Sequence, residues 1–293
     1  MDILEETLKH YIDLDMYANT VIESLMEEYN LCYDECTRIL LSSDYYNTKS
    51  NYSLAYAAIK ESVNSFSDKL NERMGEEAEN INKVETNFLK TVYDGILTVG
   101  VVSLAKTLFI PIDGRDTTKM FVDRTTKNIL RSYDNSLRSG YIFAQSSQVI
   151  KENADKALKQ AIRGMQNGIQ TAVPSYAKST DRIVFLNNNQ EVIWCTTLDG
   201  NTCVVCASLS GMRYKSISEA PGVQHNRCRC IVIPTVAVED EIPKYEEFIN
   251  KLSEKDQLHV LGKNRFDLWK NGDITLEKFI NNGEKVLLKD LKY

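Results

Sequence analysis

Apolar residues recur at helical spacing through the first third of the chain. Between residues 2 and 90 they fall every three or four positions, as in the series Ile22, Leu25, Tyr29, Cys32, Cys36 and Leu40. This stretch contains no proline and only one glycine, Gly75. A period of 3.6 residues without helix breakers is typical of amphipathic helices. The pattern therefore predicts several long helices that pack on one another.

The helical pattern stops between residues 95 and 115, where three glycines and Pro111 predict a connection or a short extended segment. It returns after Asp116, with apolar residues from 120 to 141 on one face. Five cations lie largely on the opposite face: Lys119, Arg124, Lys127, Arg131 and Arg138. A solvated surface is the simplest interpretation of this basic face, and contact with DNA or an acidic partner is the alternative.

The spacing of apolar residues changes in the C-terminal part of the chain. A further helix is predicted from about Ser147 to Ala172, closed by Pro174. Beyond it, apolar runs at 183–186 and 192–194 flank an Asn-Asn-Asn-Gln turn, which predicts a β-hairpin. Three more elements are expected: a strand and two helical segments, at 230–234, 244–252 and 275–288.

These elements predict an α+β fold in which a mostly helical N-terminal part precedes a small C-terminal α+β module. The N-terminal helical region is expected at 1–115, as an element that docks on partners or packs within the chain. The remainder, 116–293, divides into three parts: a helical lead-in at 116–178, a hairpin and Cys/His module at 181–236, and a helical tail at 244–290.

Composition limits the classes of function. The 293 residues are 43% hydrophobic and 26% charged, as in an ordinary soluble protein. The net charge of −6 argues against whole-chain electrostatic binding of nucleic acid, which needs clustered Lys and Arg. The acidic N-terminus lacks the features of a signal peptide, and the uncharged apolar run at 95–105 is too short to span a bilayer. Synthesis and initial residence in a cytoplasm are expected.

Candidate chemistry concentrates in one short stretch. Cys203-Val-Val-Cys206 is a C-x2-C pair, and His225-Asn-Arg-Cys228 supplies an imidazole and a further thiol. Two thiolates on a tight turn with two later ligands match a tetrahedral structural zinc site. Cys230 is the alternative to Cys228 as the fourth ligand, and Cys195 is left over.

Other interpretations of these cysteines remain open. They can be buried packing residues, or they can form a disulfide once the protein leaves a reducing compartment. A nucleophile at Cys203 or Cys206 with His225 as its base, oriented by Asp199, is the enzymatic alternative, but no sequence signature supplies an oxyanion hole. Phosphate-binding, dinucleotide-binding and zinc-protease motifs are missing from the sequence. No enzymatic activity is therefore expected.

The remaining thiols and imidazoles have simpler interpretations. Cys32 and Cys36 lie four residues apart on one predicted helix face, without a histidine nearby in sequence. Such spacing fits apolar core positions better than a metal pair. His10 and His259 are expected to be surface residues.

The order of residues around the cluster resembles that of the phage minor head proteins, also called the Mu F-like or phage head morphogenesis family. The residues that carry this likeness are Trp194, Asp199, Cys203-x2-Cys206, Leu-Ser-Gly211, Pro221 and His225-x2-Cys228-Arg-Cys230. Leu261-Gly-Lys-Asn-Arg265 resembles the tail motif of many members, and the likeness covers roughly 117–279. One departure is Ala177-Lys-Ser-Thr-Asp181, where members commonly show an Ala-Arg-Thr-Glu-like segment.

The resemblance implies a structural and assembly role rather than catalysis. Such a protein is present in low copy in the virion head, at the portal vertex, after recruitment in the host cytoplasm during head morphogenesis. The implied partners are the portal protein, capsid or scaffolding proteins and packaged double-stranded DNA, with no membrane. The cysteines and His225 are implied only as a cluster that defines the fold. A zinc-stabilised nucleic-acid adaptor is the alternative function.

Overall fold

A computed structural model of the chain describes residues 3–42, 48–103, 111–112, 115–196, 202–225, 227–238, 242, 245–281, 284–286 and 290. Four long helices dominate it: α1 (Ile3–Leu41), α2 (Lys49–Val92), α3 (Thr118–Phe143) and α4 (Ser147–Asn187). The long N-terminal helices and the interruption after residue 95 are thereby confirmed. Among the described residues, no helix is both long enough and apolar enough to cross a lipid bilayer.

Short elements make up the C-terminal part. They are β1 (Val192–Cys195), α5 (Val204–Leu209), β2 (Arg213–Tyr214), β3 (Ile231–Pro234), α6 (Tyr245–Lys251), α7 (Glu254–Leu261), α8 (Lys263–Lys270), β4 (Ile280–Asn281) and β5 (Glu284–Lys285), with 3-10 turns at Thr235–Ala237 and Leu276–Phe279. Strand β1 is central in an antiparallel sheet of order β2-β1-β3, with Cys195 opposite Ile231. The mostly helical α+β class is confirmed.

Contacts divide the chain into two compact units, each built from separate stretches of sequence. Unit 1 comprises Met1–Ile12, Lys83–Val102 and Ala177–Tyr293, and unit 2 comprises Asp13–Asn82 and Ser103–Tyr176. The expected division at residues 115 and 116 therefore follows the order of elements along the chain rather than these units. The Cys/His cluster belongs to unit 1.

Close helix packing characterises unit 2. Gly168 of α4 lies so near Phe121 of α3 that an added Cβ would be 2.0 Å from a ring carbon. The buried face of α1 includes Leu25, Tyr29 and Cys36, as the helical spacing predicts. Only glycine allows two helices to approach this closely without moving a core side chain.

The structure corrects the predicted end of α4. The helix does not stop at Pro174 but continues to Asn187, so the expected strand at 183–186 and its hairpin with 192–194 are wrong. Proline removes one helical hydrogen bond, yet residues 170–177 are all buried, and this packing outweighs the lost bond. Val184 and Phe185 pack from the helix into a core with Leu89 and Tyr93.

The expected helix at 275–288 is also wrong. A 3-10 turn covers Leu276–Phe279, and β4 pairs with β5 in an antiparallel ribbon. Arg265, from the tail motif, donates a hydrogen bond of 2.6 Å from Nη2 to the carbonyl oxygen of Val286. Its guanidinium also lies over the ring of Phe279. This buried arginine satisfies a backbone carbonyl that a longer helix would have bonded internally.

Candidate metal centre

The first cysteine pair lies at the start of α5. Cys203 is the N-cap residue, and its Sγ accepts a hydrogen bond from the backbone N–H of Cys206. A cap residue and the residue three positions later lie on the same side of a helix start. The C-x2-C spacing thus brings both thiols to one point, next to Trp194 in a small core.

A tight turn presents the second group of ligands. The backbone N–H of Cys228 donates to the carbonyl oxygen of His225 at 3.1 Å, and Arg227 has a left-handed φ of 60°. Residues other than glycine seldom adopt this conformation, so the surrounding structure must hold it. Cys230 follows, immediately before β3, and this strand pairs with β1.

Five potential ligands meet in two overlapping triads. Within each triad all ligand atoms lie within 4.8 Å of one another: Cys203, Cys206 and His225 form one, and Cys206, Cys228 and Cys230 form the other. The Sγ of Cys206 is 3.1 Å from Nε2 of His225 and 3.8 Å from Sγ of Cys228. Thiolates bound tetrahedrally to one zinc ion lie about 3.8 Å apart, because each Zn–S bond measures about 2.3 Å.

The cluster encloses a small space. Cys203, Cys206, His225 and Cys230 line a cavity of about 20 Å³, together with Thr196, Thr202, Arg227 and Arg229. This volume is about that of one small solvent-sized sphere. The donor set of thiols and imidazole and the size of the cavity both fit a single metal ion.

Mutual hydrogen bonds strongly perturb the thiols. The bond from Cys206, followed by His225, lowers the pKa of Cys203 to about 4, although burial opposes the shift. The pKa of Cys228 is also lowered, first by hydrogen bonds from Cys206 and Cys230 and then by the charge of Lys178. The pKa of Cys206 is raised because it is hydrogen-bonded to Cys203, Cys228 and Cys230. The lowered pKa values of Cys203 and Cys228 favour the thiolate, the form in which cysteine binds metal.

Side chains from outside the cluster hold its backbone. Thr196 Oγ1 donates to the carbonyl oxygen of Cys206 at 2.8 Å and accepts from the indole N–H of Trp194. From α4, Lys178 Nζ donates to the carbonyl oxygen of Cys228 at 2.6 Å. Such outer contacts orient metal ligands and are part of a functional metal site.

A second residue of α4 fixes the segment that leads to His225. The guanidinium of Arg182 donates to the backbone carbonyl oxygens of Ile217, Ala220 and Pro221, at 2.9 to 3.1 Å. Sequence reasoning missed this role and that of Lys178. Lys178 was placed at the end of the helical lead-in, and Arg182 was placed at the start of the expected hairpin. The only signal was for Lys178, which lies in the segment Ala177–Asp181 that departs from the family pattern, whereas Arg182 follows that segment.

The other cysteines lie outside the cluster. Cys195 is buried and lies outside both triads. Cys32 and Cys36 are buried in unit 2, as expected of core positions. Asp199, the candidate for orienting a base, lies outside the described residues.

His10 is not the surface residue that its sequence context suggested. Its ring stacks on Phe88 with centroids 3.9 Å apart, and its Nε2 lies 2.6 Å from Oε2 of the buried Glu85. His259, in contrast, is exposed as expected. The sequence pattern could not reveal the contact between His10 and Glu85, because 75 residues separate them.

Ion pairs neutralise much of the basic face of α3. Lys119 pairs with Asp123 and Arg138 with Asp134, each within one helix turn. Arg124 pairs with Asp116. Two of the five cations, Lys127 and Arg131, have no ion pair among the described residues. This charge balance does not favour α3 as a strong nucleic-acid surface.

The fold and the cluster define a mostly helical α+β protein with a group of four cysteines and one histidine whose ligand atoms have the spacing of a metal site. No family model matches the chain, and no curated protein or solved structure is significantly similar to it. The likeness to phage head proteins therefore remains a prediction from the order of residues.

Proposed function

We propose that the chain is a minor head protein of a tailed phage, with a structural and assembly role at the portal vertex. The observation that carries the proposal is the meeting of two sequence segments, Cys203–Cys206 and His225–Cys230, in one cluster. These segments also carry the family resemblance. The long helices α1 and α2 offer exposed faces suited to protein partners.

The proposed assembly role is tested by composition of the particle. Mass spectrometry of purified heads from the phage that encodes the chain should detect it at a few copies per head, and at a constant ratio to the portal protein. Its absence from both procapsids and mature heads would overturn the proposal. Binding to the purified portal protein, measured by analytical ultracentrifugation, would identify the partner.

Zinc is the metal that we propose for the cluster. Cys203, Cys206 and His225 supply three ligands, and a thiolate-rich set with one imidazole suits a closed tetrahedral zinc site. Sequence spacing favours Cys228 as the fourth ligand. The cavity favours Cys230, because Cys230 lines it together with the first triad.

Elemental analysis tests whether zinc is bound, and two cysteine variants identify the fourth ligand. Protein purified without added metal should contain about one zinc per chain, with its cluster thiols protected from alkylation. Cys230→Ala should weaken zinc binding in a competition with a chromophoric chelator, and Cys228→Ala should weaken it less. The reverse order would assign Cys228 instead. A wild-type chain without zinc and with reactive thiols would leave the cysteines as packing residues without overturning the assembly role.

A further inference from the structure

Unit 1 contains a second cluster of buried ionisable groups, which includes none of the cysteines. Glu85 of α2 is completely buried and Asp181 of α4 is 5% exposed. An isolated carboxylate is expensive to bury, so each of their oxygens needs a partner. The proposed assembly function does not use these residues, and the inference below is independent of it.

One oxygen of each carboxyl group, here called the outer oxygen, has a partner on α1; the outer oxygens are Glu85 Oε2 and Asp181 Oδ2. Tyr11 donates its hydroxyl hydrogen to Asp181 Oδ2 at 2.5 Å, and His10 Nε2 lies 2.6 Å from Glu85 Oε2. A third side chain of the same helix turns, Thr7, is hydrogen-bonded to the hydroxyl of Tyr93 at 3.0 Å. The first turns of α1 are therefore attached to α2 and α4 through polar contacts.

The inner oxygens have no such donor. Glu85 Oε1 and Asp181 Oδ1 are both buried without a hydrogen-bond partner among the described residues. Each carboxyl group nevertheless perturbs the pKa of the other through a side-chain interaction, and their two partners, His10 and Tyr11, are adjacent on α1. Two ionised carboxylates cannot hydrogen-bond to each other, because both offer only acceptors.

Counting protons identifies the state in which every atom is satisfied. With one proton between the inner oxygens, three hydrogen bonds run without interruption from Tyr11 to Asp181, from Asp181 to Glu85, and from His10 to Glu85. With none, two buried negative charges face each other. With two, one carboxylic hydrogen lacks an acceptor within the pair.

We propose that Glu85 and Asp181 form a buried proton-binding site that holds one shared proton and thereby fastens residues 3–12 of α1 to the parts of α2 and α4 that belong to unit 1. The ligand is a proton and not a metal ion, because the carboxyls and His10 do not form a group with metal-ligand spacing among the described residues. Loss of the proton should release this segment.

Other titratable groups surround the pair. His10 and Tyr11 face it from α1 and Tyr93 from the turn that follows α2, while Lys178 Nζ of α4 lies 5.7 Å from the ring centroid of Tyr11. Burial raises the pKa of Glu85 to about 7. Burial, followed by the charge of Glu85, raises the pKa of Asp181 well above its ordinary range.

The raised pKa values of the two carboxyl groups determine how the stability of the folded protein changes with pH. A carboxyl group with a raised folded-state pKa binds more protons in the folded than in the unfolded protein, so stability falls with increasing pH. The stabilisation is complete below the unfolded-state pKa of about 4 and is lost as the pH rises through about 7. Glu85 alone should increase the unfolding equilibrium constant on the order of 100-fold across this interval.

Asp181→Asn tests the site, because an amide can donate to Glu85 Oε1 and accept from Tyr11 without a proton. Chemical denaturation of the full chain at pH 5 and pH 8 should show a loss of stability in wild type that is smaller in Asp181→Asn, because the charge and titration of Asp181 are removed while Glu85 stays buried. Asp94→Asn, at an exposed position of unit 1, is the matched control and should behave as wild type. Equal pH dependence in wild type and Asp181→Asn would overturn the proposal.

An infrared measurement on the wild-type chain does not depend on a variant that folds. At pH 6.5 the spectrum should contain the carbonyl band of about one protonated carboxylic acid per chain, and it should weaken by pH 9. The backbone amides of residues 3–12 should lose protection from hydrogen exchange between pH 6.5 and pH 9, after the exchange rates are corrected for the intrinsic effect of pH. The absence of the band at pH 6.5, or protection of residues 3–12 that is independent of pH, would overturn the proposal. Glu85→Gln should remove both changes.

Discussion

The two buried ionisable clusters of unit 1 contrast in what neutralises them. The thiol cluster gathers four cysteines and His225 from the short loops around β1 and β3, within a few tens of residues of one another. The carboxyl cluster joins Glu85 and Asp181 from two long helices and adds His10 and Tyr11 from a third. On our proposals, a metal ion neutralises the first and a single proton the second.

This contrast shows that burial of negative charge has more than one solution. Several soft thiolates that converge on one point can bind an ion together, whereas two buried carboxyl groups that meet without a cation can avoid facing negative charges by sharing a proton. Lys178 connects the clusters, since its ammonium group binds the carbonyl oxygen of Cys228 and lies over the ring of Tyr11. Their independence can therefore be tested.

The largest effect is expected from loss of the shared ligand of the thiol cluster. Cys206 belongs to both triads, so Cys206→Ala should abolish zinc binding and destabilise the C-terminal module by more than about 4 kcal/mol, as loss of a structural metal does. Cys195→Ala is the matched control, since Cys195 is equally buried but outside both triads. Thermal unfolding with parallel zinc analysis measures the difference, and equal effects of the two variants would contradict a metal site.

A smaller effect is expected in the carboxyl cluster from loss of a single hydroxyl group. Tyr11→Phe removes the donor to Asp181 Oδ2 and leaves a buried oxygen unsatisfied, which costs about 1–3 kcal/mol. In Tyr17→Phe the corresponding bond to Glu77 is lost, but that carboxylate keeps Arg73 as a partner. Urea denaturation should rank Tyr11→Phe as the more destabilising variant. Zinc content should be unchanged in both, and zinc loss in Tyr11→Phe would refute the independence of the clusters.

The smallest effect should come from the residue that joins the two clusters. Lys178→Met deletes the bond to Cys228 and the cation near Tyr11, and we expect a loss of about 1–2 kcal/mol with a modest decrease in zinc affinity. Lys178→Arg should restore part of both. Lys159→Met, on the exposed face of the same helix, should have no effect. A Lys178→Met protein with wild-type zinc affinity would remove Lys178 from the metal centre.

Local patterns predicted the helices and the meeting of the cysteines, because both are encoded over short distances. The period of apolar residues identified α1 and α2, and the C-x2-C spacing matched a helix start at Cys203. The hairpin failed because β-branched Ile183 and Val184 favour strands in isolation, whereas burial on α4 decides their conformation.

The carboxyl cluster was beyond local reasoning. Glu85 and Asp181 lie in stretches of polar residues that are typical of solvated helix faces, and Tyr11 is 170 residues from its partner. Their burial depends on which helices pack together, which no single-chain pattern specifies. The family resemblance likewise covered only the stretch from about residue 117 onward, so it carried no information about α1 or α2.

The discontinuity of unit 1 has a consequence for synthesis on the ribosome. The turns that carry His10 and Tyr11 emerge first, yet the acceptor of Tyr11 is translated 170 residues later. At elongation rates of about 5–20 residues per second, this delay lasts roughly 10–35 seconds. During that interval the nascent turns have no carboxyl partner from α4, so unit 1 cannot close before α4 has been translated.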